Sequence, residues 1–202
     1  MFQWMLGASM IKLNPTDGLK VKRPKSRGFL EWTYDEILRY EERWPIGTRQ
    51  RVAFDVYMYT GLRRGDAARV GKQHVSNNVI SLATEKSRFQ TVVNLPLLDV
   101  LKRTLDAGPT GKLSFIVTSR GKPYKKESLG NEFKEWCKEA GVPDKSAHGL
   151  RKAAATRAAE NGATAHELMA IFGWLSIKEA EVYTQAADRK RLAAQAMQKL
   201  GT

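Results

Sequence analysis

Six side chains, spread along the chain, are of the types needed to bind a phosphate and attack it. They are two arginines, a lysine, a histidine, a tryptophan and a tyrosine: Arg63, Lys86, His148, Arg151, Trp174 and Tyr183. Guanidinium, ammonium and indole groups donate hydrogen bonds that phosphate oxygens accept, and an imidazole can bond the phosphate or carry a proton. A phenol can form a covalent intermediate. Together these residues predict a phosphate clamp with a tyrosine nucleophile.

Arg63 lies in Tyr-Thr-Gly-Leu-Arg, where a predicted helix ends at Gly61. A guanidinium held on a tight turn can bind two phosphate oxygens at once. We expect Asp66, three residues further on, either to orient Arg63 or to cap the next helical turn. The motif by itself is only moderately specific, because a surface arginine beside an ordinary helix end would have the same pattern.

His148 and Arg151 are three residues apart in His-Gly-Leu-Arg, at the start of a predicted helix. Residues at this spacing share a helix face, and a helix N-terminus favours an anion. The two side chains can therefore meet one phosphate, with the imidazole in proton transfer or hydrogen bonding. Seen alone, the motif is more typical of a satisfied histidine near a helix cap and a solvated arginine.

Lys86 lies in the turn of a predicted hairpin, from which its ammonium can reach into a cleft and protonate a leaving oxygen. Trp174 follows Gly173, and its indole is either a core group or a donor to phosphate. Tyr183 follows nine residues later. A free phenol has a pKa near ~10, so nearby cations would favour its phenolate and burial would oppose it. Seen alone, each residue is more typical of a structural role, Lys86 as a solvated side chain and Trp174 and Tyr183 as packing side chains.

The hydrophobic periodicity predicts a mainly α chain with a small antiparallel β-sheet, an α+β class. Helices are predicted over 34–44, 49–59, 96–105, 127–140, 150–160, 164–172, 177–187 and 189–200, with a short turn over 65–70. Residues 79–83 and 91–95 read as a hairpin, and 115–117 as a third strand.

Composition narrows the class of protein. The 202 residues contain 34 lysines and arginines against 21 aspartates and glutamates, a net charge of +13, which favours a polyanionic partner such as nucleic acid. A single cysteine, Cys137, excludes an internal disulfide and a cysteine metal cluster, and we expect it in the core of a cytoplasmic protein. Runs of about 18 apolar residues are absent from the sequence, which argues against a membrane span.

The N-terminal part of the chain differs from the rest. Residues 1–13 read as the end of a helix, and residues 14–28 are rich in proline, glycine and basic residues. This composition is typical of a linker along a phosphate backbone or, equally, of a solvated loop. The candidate DNA contacts are four basic residues of this linker and two further arginines: Lys20, Lys22, Arg23, Lys25, Arg64 and Arg88.

The order of these motifs resembles the tyrosine recombinase (phage integrase) family from about residue 30 to the end. The shared order is an arginine in Thr-Gly-Leu-Arg, a lysine in a β-turn, His-x-x-Arg, a histidine or tryptophan after glycine, and finally a tyrosine. Trp174 stands where many members carry histidine. Family members also have a helical clamp domain, of which residues 1–13 match only the last helix. We therefore expect a catalytic fragment, with residues 1–28 as helix end and linker and residues 29–202 as the catalytic domain.

The resemblance implies the family's catalytic-domain fold and a site-specific recombinase of bacterial or phage origin that cleaves and rejoins DNA through a 3′-phosphotyrosine. It implies Tyr183 as nucleophile, Arg63 and Arg151 as phosphate ligands, Trp174 as a further donor and Lys86 as proton donor, with His148 assisting. Double-stranded DNA and further protomers, as a tetramer, are the implied partners. Helix 189–200 would pack either in cis or onto a neighbouring protomer. No metal or other cofactor is implied.

Two rival classes remain open at this point. A type IB topoisomerase shares the covalent chemistry but relaxes supercoils without a partner protomer. A non-catalytic DNA-binding fragment would keep the fold and lose the reaction. An RNA-binding protein is a weaker alternative, since only the charge supports it.

Overall fold

A computed structural model of the chain describes residues 1–19 and 28–200. These residues are mainly helical with one small antiparallel sheet, which confirms the predicted α+β class. The α-helices of the described residues are α1 Phe2–Gly7, α2 Tyr34–Arg43, α3 Arg49–Thr60, α4 Arg64–Arg69, α5 Asp99–Ala107, α6 Lys126–Glu139, α7 Ala147–Glu160, α8 Ala165–Phe172 and α9 Ile177–Leu200. In this part of the chain, none of the helices has both the length and the apolar character that a membrane crossing requires.

The sheet consists of β1 Val75–Ser76, β2 Val79–Ala83 and β3 Val92–Pro96, in that spatial order. The β2–β3 hairpin was predicted, and Ile80 pairs with Leu95 in its register. Alternate side chains of both strands are buried, as expected for a sheet with one face on the core. The hairpin turn contains the 3₁₀ turn Glu85–Ser87, which carries Lys86.

Three sequence predictions about these elements were wrong. The third strand is β1 and not 115–117, where Val117 forms only an isolated bridge with Pro123. The helix predicted from Pro96 begins at Asp99, because Pro96 ends the edge strand β3, where its missing N–H costs nothing. Helix α1 ends at Gly7 rather than at residue 13.

Helix α9 is one continuous helix, whereas the sequence predicted two helices separated at residue 188. Asp188 does not interrupt it, since it accepts a hydrogen bond from Arg191 on the next turn at 2.6 Å. The segment also contains no glycine or proline, the residues that most readily end a helix. Beyond Thr184 no described residue of α9 is buried.

The core forms around α3, which packs against α5, α6 and α7. Tyr40 of α2 stacks on Phe54 of α3, with ring centroids 4.6 Å apart, and on Phe133 of α6 at 5.8 Å. Cys137 is fully buried, as predicted, and burial raises the pKa of its thiol to about 12. Helices α7, α8 and α9 pack on one another, and Arg151 of α7 donates a hydrogen bond to the Gly61 carbonyl at the end of α3.

Candidate active site

The structure brings the six predicted side chains together in one pocket of about 320 Å³. Its walls are formed by the turn after α3, the β2–β3 turn, the start of α7, the turn after α8, and α9. The lining residues are Arg63, Lys86, His148, Arg151, Lys152, Trp174, Glu179, Val182 and Tyr183. Among them, Lys152 and Glu179 are charged groups that the sequence did not single out.

Arg151 is the most firmly held cation of the pocket. Its guanidinium is buried and donates hydrogen bonds to the carbonyl oxygens of Gly61 and, at 2.7 Å, Phe172. These carbonyls belong to the C-terminal ends of α3 and α8, where the helix dipole favours a cation. Burial, followed by the nearby charge of Arg63, lowers the pKa of Arg151 to about 9, so the group stays protonated at neutral pH.

Arg63 is held by its backbone and not by its side chain. It is the residue before α4, and its guanidinium makes no hydrogen bond or ion pair with a described residue. The turn before it depends on Gly61, which has a φ of +59°, and a Cβ there would lie 2.4 Å from the Phe172 ring. All of the donors of Arg63 are therefore available to a ligand.

Asp66 does not have the partners that the sequence suggested. The carboxylate is buried within α4, where it accepts a hydrogen bond from Arg69 at 2.7 Å and from the backbone N–H of Glu85 at 2.9 Å. It neither orients Arg63 nor caps the following turn. Glu85 directly precedes Lys86, so the hydrogen bond from its N–H to Asp66 holds the lysine-bearing turn against the first turn of α4.

Lys86 reaches across the pocket to Glu179 of α9, with 3.7 Å between the ammonium nitrogen and the carboxylate. Both side chains are exposed, so the pair contributes little stability. Glu179 lies four residues before Tyr183, a spacing that places both side chains on one face of α9. This spacing is the sequence signal that could have identified Glu179 as a residue of the pocket.

His148 presents its imidazole to the pocket and is partly exposed. Desolvation first, and then the positive charges of Arg151, Lys152, Arg63 and Lys86, lower the pKa of His148 below its usual value of 6.5. The imidazole is therefore neutral at pH 7, the form that can accept a proton.

Trp174 lies in a stack of aromatic rings that ends at Tyr183. The Phe172 and Trp174 centroids are 4.8 Å apart, and the indole lies at 5.4 Å from the Tyr183 ring and nearly parallel to it. The Arg151 guanidinium lies over both Phe172 and Trp174, at 5.0 and 5.6 Å. Trp174 is thus a packing residue, while its indole N–H has no acceptor among the described residues and is not fully buried.

Tyr183 is half-buried, and its pKa is raised above the usual value of 10.0. Burial is the largest cause, followed by the carboxylate of Glu31, while the charge of Arg151 opposes both. Burial therefore outweighs the cations, and the phenol is protonated at neutral pH. Any nucleophilic attack requires a group that takes this proton.

Substitutions at Trp174 separate its ring from its N–H group. We expect Trp174→Phe to keep the stack and most of the stability, whereas Trp174→Ala should lose about 3–5 kcal/mol of the free energy of unfolding. Chemical denaturation of both variants and the wild type measures the difference. Equal losses in the two variants would show that the ring stack does not hold this part of the pocket.

A larger groove of about 880 Å³ adjoins the pocket and shares Arg63, His148 and Arg151 with it. Four further cations line it: Arg64, Lys126, Lys134 and Lys145. Of the candidate DNA contacts, Arg64 lies in this groove and Arg88 is exposed in the β2–β3 hairpin turn. Lys20, Lys22, Arg23 and Lys25 lie outside the described residues.

Comparisons with known proteins agree with this architecture. The sequence model of the phage integrase family matches residues 28–190. The integrase of Mycobacterium phage L5 is 31% identical over 178 residues, which cover 85% of this chain and 46% of that protein. The crystal structure of a lambda integrase dimer bound to a COC′ core site superposes with a TM-score of 0.74 at 20% identity, covering 91% of this chain and 68% of that one. A lambda integrase tetramer bound to a Holliday junction superposes with a TM-score of 0.72 at 20% identity, covering 88% and 56%.

A helical domain with a small antiparallel sheet is the fold of a tyrosine recombinase catalytic domain. The chain belongs to the phage integrase family, as the match over most of its length shows. It spans less than half of the length of the integrases of mycobacteriophages L5 and D29.

Proposed function

We propose that the chain is the catalytic part of a site-specific DNA recombinase that cleaves and rejoins DNA through a 3′-phosphotyrosine. The observation that carries this proposal is the pocket in which Tyr183 lies among Arg63, Lys86, His148 and Arg151. We assign the catalytic domain to residues 29–202 and the preceding helix end and linker to residues 1–28.

Cleavage begins with attack of the Tyr183 phenol oxygen on a DNA phosphorus, which forms the O–P bond and breaks the bond to the 5′-oxygen. His148, whose imidazole is neutral at pH 7, takes the phenol proton. Lys86 gives a proton to the departing 5′-oxygen. The products are a 3′-phosphotyrosine and a free 5′-hydroxyl.

Stabilisation of the negative charge on the phosphate falls to the two arginines and the indole N–H. Arg63 offers a guanidinium that no described residue binds, and Arg151 is held rigidly by its two carbonyl acceptors. Preorganised donors of this kind supply a large share of phosphoryl-transfer catalysis. The covalent intermediate conserves the energy of the phosphodiester, so another 5′-hydroxyl can reseal the strand without ATP.

Double-stranded DNA fits the adjoining groove, where the exposed side chains of Arg64 and Lys134 can neutralise a phosphate backbone. The net charge of +13 supports the same partner. The superposition on lambda integrase bound to DNA adds support from the fold.

A covalent-trapping assay tests this function. The protein is incubated with a pool of nicked duplexes in the presence of a chelator, and the mixture is then denatured with detergent. We expect a protein–DNA adduct, and sequencing of the trapped DNA would give the target. DNA binding that weakens with salt, without any adduct, would contradict the proposed reaction and favour a binding module. Relaxation of supercoiled DNA without strand exchange would indicate a topoisomerase.

Assembly through the C-terminal part of α9 is a further part of this proposal. Residues 189–200 are exposed in the monomer, and the side chains of Leu192, Met197 and Leu200 are more than half accessible to solvent. Apolar groups in this number on one helix are typical of a surface that another protein covers. The lambda integrase tetramer supports a neighbouring protomer as the partner.

Deletion of residues 188–202 should therefore weaken assembly and leave the monomer folded. We expect the melting temperature to fall by no more than a few degrees, because residues 188–200 bury little surface. Light scattering of complexes on the trapped duplex should show fewer protomers than for the full chain. A large drop in the melting temperature would instead place this segment in the monomer core.

A further inference from the structure

The segment before α2 crosses the N-terminal end of α7 and is bonded to it. We call residues 29–32 the strap. Lys152 donates a hydrogen bond to the Phe29 carbonyl at 2.9 Å, and Lys145 donates to the Glu31 carbonyl at 2.6 Å. In return, the indole N–H of Trp32 donates to the Ser146 carbonyl at 2.9 Å. Lys145 and Ser146 come shortly before His148 and Lys152 shortly after it, so the strap is bonded on both sides of this histidine.

Gly149 shows how closely the strap approaches the helix. A Cβ at this position would lie 2.0 Å from the Leu30 carbonyl oxygen and 3.1 Å from its carbonyl carbon, both backbone atoms. Glycine within a helix costs roughly 1 kcal/mol relative to alanine. Contact with the strap is therefore a physical reason for glycine between His148 and Leu150.

Phe29 lines the adjoining groove and is the strap residue whose side chain contacts His148 of the pocket. Its ring lies against the imidazole of His148, with centroids 4.7 Å apart and planes at 56°. Among the described residues, no hydrogen bond fixes either nitrogen of His148, although such a bond is what usually orients a functional imidazole. The Phe29 ring is the contact that takes its place.

We propose that Phe29 is a positioning residue, which holds the His148 imidazole toward Tyr183 and shields it from water. This inference rests on the proposed function, in which His148 takes the phenol proton. Phe29 itself touches no reacting atom, so its effect on the reaction passes through the orientation and hydration of His148. A ring of the same size should serve as well as phenylalanine, whereas a small side chain should not.

The charges around His148 set the expected direction of a pH effect. The groups facing it are Arg63 before α4, Lys86 in the hairpin turn, Arg151 and Lys152 on α7, and Glu179 and Tyr183 on α9. These groups remain when Phe29 is truncated, while the desolvation that lowers the His148 pKa decreases. The pKa of His148 should therefore rise toward its ordinary value of 6.5.

The test compares Phe29→Ala with Phe29→Tyr, which keeps the ring, and with Leu30→Ala. Leu30 is a neighbouring apolar residue whose side chain is also about half exposed and which contacts Gly149 through its backbone. We expect adduct formation at pH 7 to fall about 10- to 100-fold in Phe29→Ala, a cost typical of a displaced catalytic group. Binding of the same duplex should change by no more than about twofold in every variant, and Phe29→Tyr and Leu30→Ala should react as the wild type does.

An NMR titration of the three histidine side chains provides a readout that does not depend on catalysis. We expect the His148 signal, assigned with His148→Gln, to titrate at higher pH in Phe29→Ala, and the acid limb of the pH–rate profile to move in the same direction. An unchanged titration together with unchanged adduct formation would overturn the proposal, and so would equal defects in Phe29→Ala and Leu30→Ala. A wild-type chain that forms no adduct would contradict the proposed function instead, and the titration would still decide whether Phe29 controls His148.

Discussion

Replacement of Tyr183 with phenylalanine should abolish the covalent protein–DNA adduct and leave DNA binding unchanged. The variant lacks only the phenol oxygen, which is the atom that forms the bond to phosphorus in the proposed reaction. Tyr183 donates no hydrogen bond to a described residue, so its hydroxyl does not hold the fold together. Its ring should still stack on Trp174, since that contact does not involve the hydroxyl. We therefore expect stability within about 0.5 kcal/mol of the wild type.

The measurement is the fraction of nicked duplex that remains bound after detergent treatment, together with the affinity before it. Tyr34→Phe is the matched control, because Tyr34 is an exposed tyrosine on α2 outside the pocket. This control should form the adduct at the wild-type rate. An adduct in Tyr183→Phe would show that another side chain is the nucleophile, and mass spectrometry of the cross-linked peptide would identify it.

Substitution of the two pocket arginines should have equal effects on the reaction and unequal effects on stability. We expect Arg63→Ala and Arg151→Ala each to reduce the rate of adduct formation by about 10²- to 10³-fold, as is typical for removal of one oxyanion donor. Arg63 has no partner within the described protein, so its loss should leave the free energy of unfolding unchanged within about 0.5 kcal/mol.

Arg151→Ala should also destabilise the protein. It removes the donor for the carbonyl oxygens of Gly61 and Phe172, and each buried carbonyl left without a partner costs about 1–3 kcal/mol. We expect the free energy of unfolding to fall by several kcal/mol, as measured by denaturant titration. This variant must therefore be assayed well below its melting temperature.

Arg103→Ala is the control for net charge, because Arg103 is exposed on α5 and lines neither the pocket nor the groove. It should react as the wild type does. Equal losses of rate in Arg103→Ala and Arg63→Ala would mean that overall charge, and not a guanidinium at the phosphate, controls the reaction. A stable Arg151→Ala would contradict the structural role of its two hydrogen bonds.

Local sequence alone predicted those elements whose ends are set by neighbouring residues. Thr33 caps α2 in a capping box with Glu36, and Gly61 ends α3 in the left-handed conformation. The hairpin with Lys86 in its turn also follows from short-range signals, since β-prone runs flank a basic turn. The order of the polar motifs identified the family, which the comparisons confirmed.

Only the tertiary structure decided what these residues contact. The sequence could not assign Asp66 to Arg69 and the β2–β3 turn, because the bond to Glu85 depends on how that turn packs on α4. Glu179 meets Lys86 in the pocket although the two are 93 positions apart, and the Phe29 ring contacts His148 of the pocket across 119 positions. The sequence also could not decide whether burial keeps the Tyr183 phenol protonated or nearby cations favour its phenolate. The pKa of Tyr183 depends on the balance between desolvation and nearby charge, and that balance exists only when the folded chain places both around the same atom.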